Sequence, residues 1–293
     1  LYTLYQTAKK EGKRSLDVAI SVGVHPAVLL AAASPAPFDV NEFDVANALL
    51  KGELKLTKCE NIDVNVPANS EIVFEGRILL DKEAPEGPFV DVTGTYDIVR
   101  LQPVVELVGV MRRKNHVYQA LLPAGLEHKL FMGLARKVKI WETVRKVVPT
   151  VRSVKLTEGS GGWLHALISI RKETENDGKN VISAAFSAHP SLKHVFVVDE
   201  DIDVDNLIEV EWALATRFQG DEDLVILKNV KGSTLDPSAN QETGLTTKVG
   251  FDLTRPLSKP PEKFKKAVIP ENSNVKRILN QILNTKDGTL KLE

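Results

Sequence analysis

The segment APEGPFVDVTG, residues 84–94, most constrains what this chain can fold into. Pro85 and Pro88 fix φ and withdraw backbone donors, and Gly87 admits positive φ. The stretch is therefore barred from helices and fits poorly in the middle of a sheet. What remains is a stiff loop carrying two carboxylates, Glu86 and Asp91, in one mutual geometry. Paired carboxylates in unlike surroundings can be driven apart in pKa, so that one donates a proton while the other stays charged. Acids, glycine and proline are also ordinary turn residues, and the segment alone leaves both readings open.

The residues around this loop divide by periodicity. Leu1, Leu4, Tyr5 and Ala8 have helical spacing, and residues 15–23 read as a buried strand. Pro26 suits the first turn of a short apolar helix that stops at Ser34-Pro35-Ala36-Pro37. Asn41 is placed to cap a helix over 42–51, which Gly52 ends. From 54 to 80 the pattern has period two. A further strand pair, 104–111 and 116–122, is expected around a turn at 112–115. Residues 54–122 thus predict a small β-barrel or sandwich with the acid loop inserted. The second half alternates helices (126–148, 180–189, 207–216) with strands (151–156, 163–170, 195–198, 224–227), the pattern of one sheet with covering helices. Residues 231–270, which include Lys248, read as an ordered loop rich in Pro, Ser, Thr and Gly. Val275, Ile278, Leu279, Ile282 and Leu283 form the apolar face of a last helix. Docking on a partner subunit and docking on its own domain are both open for it.

The formal net charge of −1 supplies no field for nucleic acid or an anionic membrane, and neither partner is implied. No apolar run reaches the length of a membrane span. A lone cysteine, Cys59, rules out an internal disulfide, suits a reducing, cytoplasmic setting and reads as a packing residue. None of the six histidines falls in a zinc spacing. His128, after a Pro-Gly-containing turn at a helix start, is the best catalytic candidate among them. The glycines of EGSGGW, 158–163, make a flexible turn without a phosphate fingerprint. VVDEDIDVD, 197–205, offers five acids that suit either a cation site or a helix cap with solvated charges.

Several segments, taken together and in order, resemble the UbiD family of prenylated-flavin decarboxylases. VPANSEIVFEG followed by APEGPFVDVTG is similar to the family's central signature. LKGELKLTKCENIDVNVP lies upstream of it, HVFVVDEDIDV and WALATRF downstream, and ETGLTTKVGFD late in the chain. The resemblance covers nearly the whole chain. It implies a mixed α/β fold in three parts: the C-terminal part of a split β-barrel prenylated-flavin-binding domain (1–122), an α/β domain (123–270) and a C-terminal oligomerisation helix (271–293). It also implies roles. Asp91 matches the proton donor and Glu86 its partner acid. Glu42 matches the ligand of a divalent metal (Mn2+ or Mg2+) on the cofactor phosphate, and Lys248 a lysine that contacts the flavin. Ser34, with Ala33 and Ala36, matches a loop whose oxygens hold K+ and border the cofactor.

The implied reaction is the reversible, non-oxidative loss of CO2 from an α,β-unsaturated or aromatic acid, with prenylated FMN as cofactor. Losing CO2 from an sp² carbon needs a carboxylic acid that is protonated near neutral pH to return a proton to that carbon. The compact loops resemble archaeal members, which implies trans-anhydromevalonate 5-phosphate as substrate in isoprenoid synthesis. A 4-hydroxybenzoate-type acid and a non-catalytic scaffold subunit are the alternatives. A homodimer or homohexamer and a flavin prenyltransferase that supplies the cofactor are the implied partners. The arginine, asparagine and histidine that complete the family's site lie upstream of anything in these residues. A fragment or a second polypeptide would each account for that.

Overall fold

A computed structural model describes residues 1–34, 36, 37, 39–267 and 273–284. Pro35, and residues 271, 272 and 285–293 of the expected C-terminal segment, lie outside the described residues, as does the side chain of Leu283. The chain forms two compact units, Leu1–Thr254 and Arg255–Glu293.

The first unit opens with α1 (Tyr2–Lys10), whose Tyr5 and Ala8 are buried against Ile78 and Leu80. Strand β1 (Ser15–Val22) pairs antiparallel with β4 (Ile72–Glu86), which pairs antiparallel with β5 (Arg100–Arg112). These three make one sheet, while β2 (Leu56–Lys58) and β3 (Asn65–Pro67) make a separate antiparallel ribbon. The expected strand pair at 104–111 and 116–122 is corrected here. Arg100–Arg112 is one strand laddered to β4, and 116–122 is irregular. With β4 on one side only, β5 is the edge strand of this sheet.

Two short helices lie between β1 and β2. In α2 (Pro26–Ala33) Pro26 occupies the first turn, where its missing N–H costs nothing, and the His25 ring accepts the Ala27 N–H. In α3 (Glu42–Leu49) the Asn41 side chain accepts the Phe43 N–H, as its spacing predicts, and Glu42 and Asp44 sit at the positive end of the helix dipole. Val24, Val28, Ala31 and Ala46 join the two helices in one small core.

The second half is a five-stranded mixed sheet of order β6-β7-β8-β10-β9. Its strands are β6 (Val151–Leu156), β7 (His165–Ile170), β8 (His194–Asp199), β9 (Leu224–Lys231) and β10 (Leu245–Leu253). Helices α4 (Leu126–Val147) and α5 (Asp177–Ala188) bury Ile140, Val144, Val181 and Ile182 against Ala166, Ile168, Val195 and Val197. On the opposite face α6 (Leu207–Arg217) closes a second core around Leu167, Val198, Val210 and Leu253. Each Val, Leu or Ile side chain so buried contributes about 1.5–3 kcal/mol. The expectation of a loop over 231–270 is also corrected. Strand β10 runs through it, parallel to β8 and antiparallel to β9. Its threonines and glycines hid it, yet Gly250 is needed there, because a Cβ would stand 2.2 Å from Ile182 Cγ2.

The second unit holds a 3-10 turn, Pro261–Phe264, and α7 (Ser273–Asn284), whose Val275, Ile278, Leu279 and Ile282 are exposed. No helix among the described residues is long and apolar enough to cross a membrane.

Candidate functional site

The acid loop is a small hairpin mounted on the end of the β4–β5 ladder. Glu83, Ala84, Pro85 and Glu86 still face Pro103, Gln102, Leu101 and Arg100, beyond the point where β1 stops covering the other edge of β4. Pro85 is thus tolerated on a locally free edge. Beyond Gly87 and the cis bond to Pro88, Asp97 N–H donates to the Phe89 carbonyl, Val90 bridges Tyr96, and Asp91 N–H donates to the Thr95 carbonyl. Gly94 N–H closes the tip onto the Asp91 carbonyl at 2.8 Å, with Gly94 at φ +78°, a conformation glycine adopts without cost. The Asp91 backbone is therefore spent inside the hairpin. Its half-buried carboxylate lines a cavity of about 100 Å³ with Thr93, Thr95, Thr234, Leu235 and Gln241, and accepts the Val92 N–H at 2.5 Å.

Glu86 is exposed at the base of the hairpin, and among the described residues no hydrogen bond joins it to Asp91. Its cross-strand neighbour Arg100 turns instead to Asp97. The two acids are thus separated into a half-buried tip residue and an exposed base residue. None of Glu86, Glu42, Ser34 or Lys248 lines the cavity.

Lys248 lies on β10, and so the loop expected around it is corrected. It is buried, with Nζ donating to the Pro190 carbonyl at 2.5 Å and standing 5.4 Å from the centre of the Phe186 ring. Desolvation lowers its pKa to about 8. An ammonium has three donors, so the Pro190 bond leaves capacity for a ligand oxygen. Glu42 is exposed at the start of α3. Ser34 caps α2, donating its hydroxyl to the Leu30 carbonyl and accepting the Ala36 N–H; Ala33 ends the helix. Among the described residues no three His, Cys, Asp or Glu side chains converge as metal ligands, and Glu42 alone is one carboxylate.

Val92, Trp163, Arg136 and the pair His165 and His194 carry no signal of a site in the sequence. Val92, fully buried, packs on Trp163, Leu164, Met132 and Leu235. The Trp163 indole donates to Ser233 Oγ at 3.2 Å, and its ring lies under the Arg136 guanidinium (5.3 Å) and edge-on to His189 (4.4 Å). His189 is buried and its pKa is lowered to about 4, first by desolvation and then by the Arg136 charge. His165 and His194 sit opposite one another on β7 and β8, with ring nitrogens 2.8 Å apart. A search for sequence spacing misses such a pair, because strand register made it. His128 accepts the Ala124 N–H through Nδ1, a bond at the entry to α4. In the acidic run, Asp199 and Asp201 hold Arg217, and Asn206 caps α6. Cys59 packs with Ile62, Val66 and Val73, and burial pushes its thiol pKa up.

Residues 2–126 match the UbiD family model described as the 3-octaprenyl-4-hydroxybenzoate carboxy-lyase Rift-related domain, and residues 129–253 match the C-terminal domain of the same family. The chain is 52% identical over 266 residues to the anhydromevalonate phosphate decarboxylase of Methanothermobacter thermautotrophicus, covering 91% of this chain and 62% of that protein. It is 50% identical over 271 residues to the enzyme of the same name from Methanocaldococcus jannaschii, covering 92% and 63%. The UbiD-class enzyme HmfF from Pelotomaculum thermopropionicum, solved in complex with FMN, superposes with a TM-score of 0.87 at 43% identity. That match covers 92% of this chain and 60% of the HmfF chain. An evolved dimeric form of HmfF, in complex with prFMN, gives 0.81 at 40% identity, covering 92% of this chain and 58% of that one. The chain spans about three-fifths of the length of these curated relatives.

Proposed function

This chain belongs to the UbiD family, and we propose that it serves in a prenylated-FMN-dependent carboxy-lyase that removes CO2 from trans-anhydromevalonate 5-phosphate. The carrying observation is the 50–52% identity to two archaeal anhydromevalonate phosphate decarboxylases over nine-tenths of the chain. A 4-hydroxybenzoate-type substrate is the second reading, favoured by the family description.

When bound, the flavin supplies the electron sink for the bond that loses CO2. The chain's own part is proton handling and placement. Asp91 delivers a proton to the carbon that carried the carboxyl group. Its position at a cavity wall, with its backbone groups already paired, supports that role. Glu86, exposed at the base of the same hairpin, keeps its part as partner acid on the family resemblance alone. Lys248 offers its remaining donors to a flavin oxygen. Glu42 keeps its part as metal ligand, and Ala33, Ser34 and Ala36 theirs as K+ ligands, on the family resemblance. One carboxylate does not complete a metal site among the described residues. We also divide the chain near residue 122, a boundary supported by the separation of its strands into a β1-β4-β5 sheet before it and a five-stranded sheet after it. Assembly into a homo-oligomer through α7 belongs to the same reading.

The test is CO2 release by the full-length protein co-expressed with a flavin prenyltransferase. The phosphorylated acid and 4-hydroxybenzoate are supplied in parallel. Turnover of the first alone is expected. Asp91→Asn is expected to lower it by about 100-fold or more with an unchanged circular dichroism spectrum. Turnover of 4-hydroxybenzoate alone would replace the substrate, and an Asp91→Asn protein within a few fold of wild type would remove Asp91 from its role.

A further inference from the structure

We infer that the turn Gly161–Trp163 is the template that fixes the Asp91 carboxylate, acting through Val92. This rests on the reading of Asp91 as proton donor but concerns residues some 70 positions away in sequence, in the other half of the chain.

The hairpin that carries Asp91 hangs beyond the edge of its own sheet, held by its internal bonds and the β4–β5 ladder. Those bonds set its fold, not where its tip points. One residue at the tip is anchored elsewhere. Val92, next to Asp91, is fully buried, although Asp91 and Thr93 on either side are only partly so. It sits on the Trp163 side chain, and its carbonyl meets the backbone of Gly161. A Cβ on Gly161 would stand 2.8 Å from the Val92 oxygen and 3.4 Å from the Thr93 nitrogen. Gly161 is also at φ +75°, so the close approach and the backbone conformation both demand glycine.

The turn itself is braced. Gly162 N–H donates to the Thr157 carbonyl at 2.9 Å, and Ser160 Oγ accepts the His165 N–H at 3.1 Å, tying it to the start of β7. The Trp163 indole is pinned by Ser233, next to the cavity-lining Thr234 and Leu235. The same braced segment therefore sets both the hairpin tip and one wall of the cavity beside Asp91. Two side-chain bonds separate the Asp91 carboxyl from its own Cα, so a clamp on the next peptide limits the space it can sweep. Proton transfer depends steeply on such placement, and a misplacement of about 1 Å costs on the order of 100-fold.

The glycines of the turn supply a matched test. A Cβ on Gly159 meets nothing within 4 Å, whereas one on Gly161 displaces the Val92 peptide. In the full-length flavin-loaded protein, Gly161→Ala is expected to lower kcat by about 10- to 100-fold with KM held within about twofold. It should also speed amide hydrogen exchange across residues 89–97, measured by mass spectrometry. Gly159→Ala should change neither. Should Gly161→Ala fail to fold, Val92→Ala, which removes the anchor from the other side, is expected to give the same two changes. If exchange over 89–97 stays at the wild-type rate in the folded variants, the template does not exist. If it rises but kcat does not fall while Asp91→Asn is inactive, Asp91 needs no template. Both results overturn the inference. An active Asp91→Asn protein would instead overturn the proton-donor reading, and the exchange data alone would then decide the anchoring.

Discussion

Arg217 reaches Asp201 through both terminal nitrogens, at 2.9 and 2.7 Å, and Asp199 through one of them, at 2.8 Å. Asp199 ends β8 and Arg217 ends α6, so this planar contact staples the helix to the carboxyl end of the strand. Arg217 and Asp199 are both buried.

Removing the guanidinium takes its ion pair away from the buried Asp199 carboxylate. Arg217→Ala is expected to cost about 3–5 kcal/mol, the range for breaking one side of a buried pair. Urea unfolding of both proteins measures it. A loss under about 1 kcal/mol would mean that the acids are solvated after all.

Lys248 carries a desolvation cost of the opposite kind. Its pKa falls from 10.5 to about 8 on folding, so between those values the unfolded chain binds more protons than the folded one. The cost is fully present below about pH 8 and is relieved as pH rises towards 10.5. Lys248→Met in flavin-free protein should therefore raise the melting temperature at pH 7, and the gain should shrink by about pH 10. The full shift corresponds to about 3 kcal/mol, less what the Pro190 bond contributes. Equal effects at both pH values would show that the lysine is not the titrating group. The flavin-loaded protein should lose cofactor affinity in the same variant.

Two histidines make the fold sensitive to acid. His165 and His189 each fall from 6.5 to about 4, chiefly through burial, so the unfolded state takes up protons first as pH drops through 6.5. Stability from this source is complete above about pH 6.5 and is lost towards about pH 4. Urea midpoints at about pH 7.5, 6 and 5 should decline in wild type, and less steeply in His165→Gln, which has no proton to take up. A flat midpoint across that window would mean that neither ring is held neutral by the fold.

Local chemistry was legible wherever it was local. Asn41 caps α3 and Pro26 opens α2 as their spacing predicts, because a cap involves residues two apart. The apolar run of β8 was readable for the same reason: burial on both faces leaves an unbroken run. Strand β10 was not readable. It sits inside the sheet with Thr246, Thr247, Lys248 and Gly250 in its sequence, a composition that spells loop until Ile182 of α5 and strands β8 and β9 close around it.

The sequence by itself determined the family, the α/β class, and a stiff segment bearing Glu86 and Asp91, since proline fixes φ and glycine admits positive φ wherever they stand. Only the tertiary structure decided that the two acids part company, one into a cavity and one into solvent, and that Lys248 is a buried strand residue. It alone brought Trp163 and Gly161 against Val92, and His165 beside His194. Such contacts join residues from 29 to some 70 positions apart. Burial, strand register and close backbone approach arise when separate elements pack, leaving no trace in the order of residues along either one.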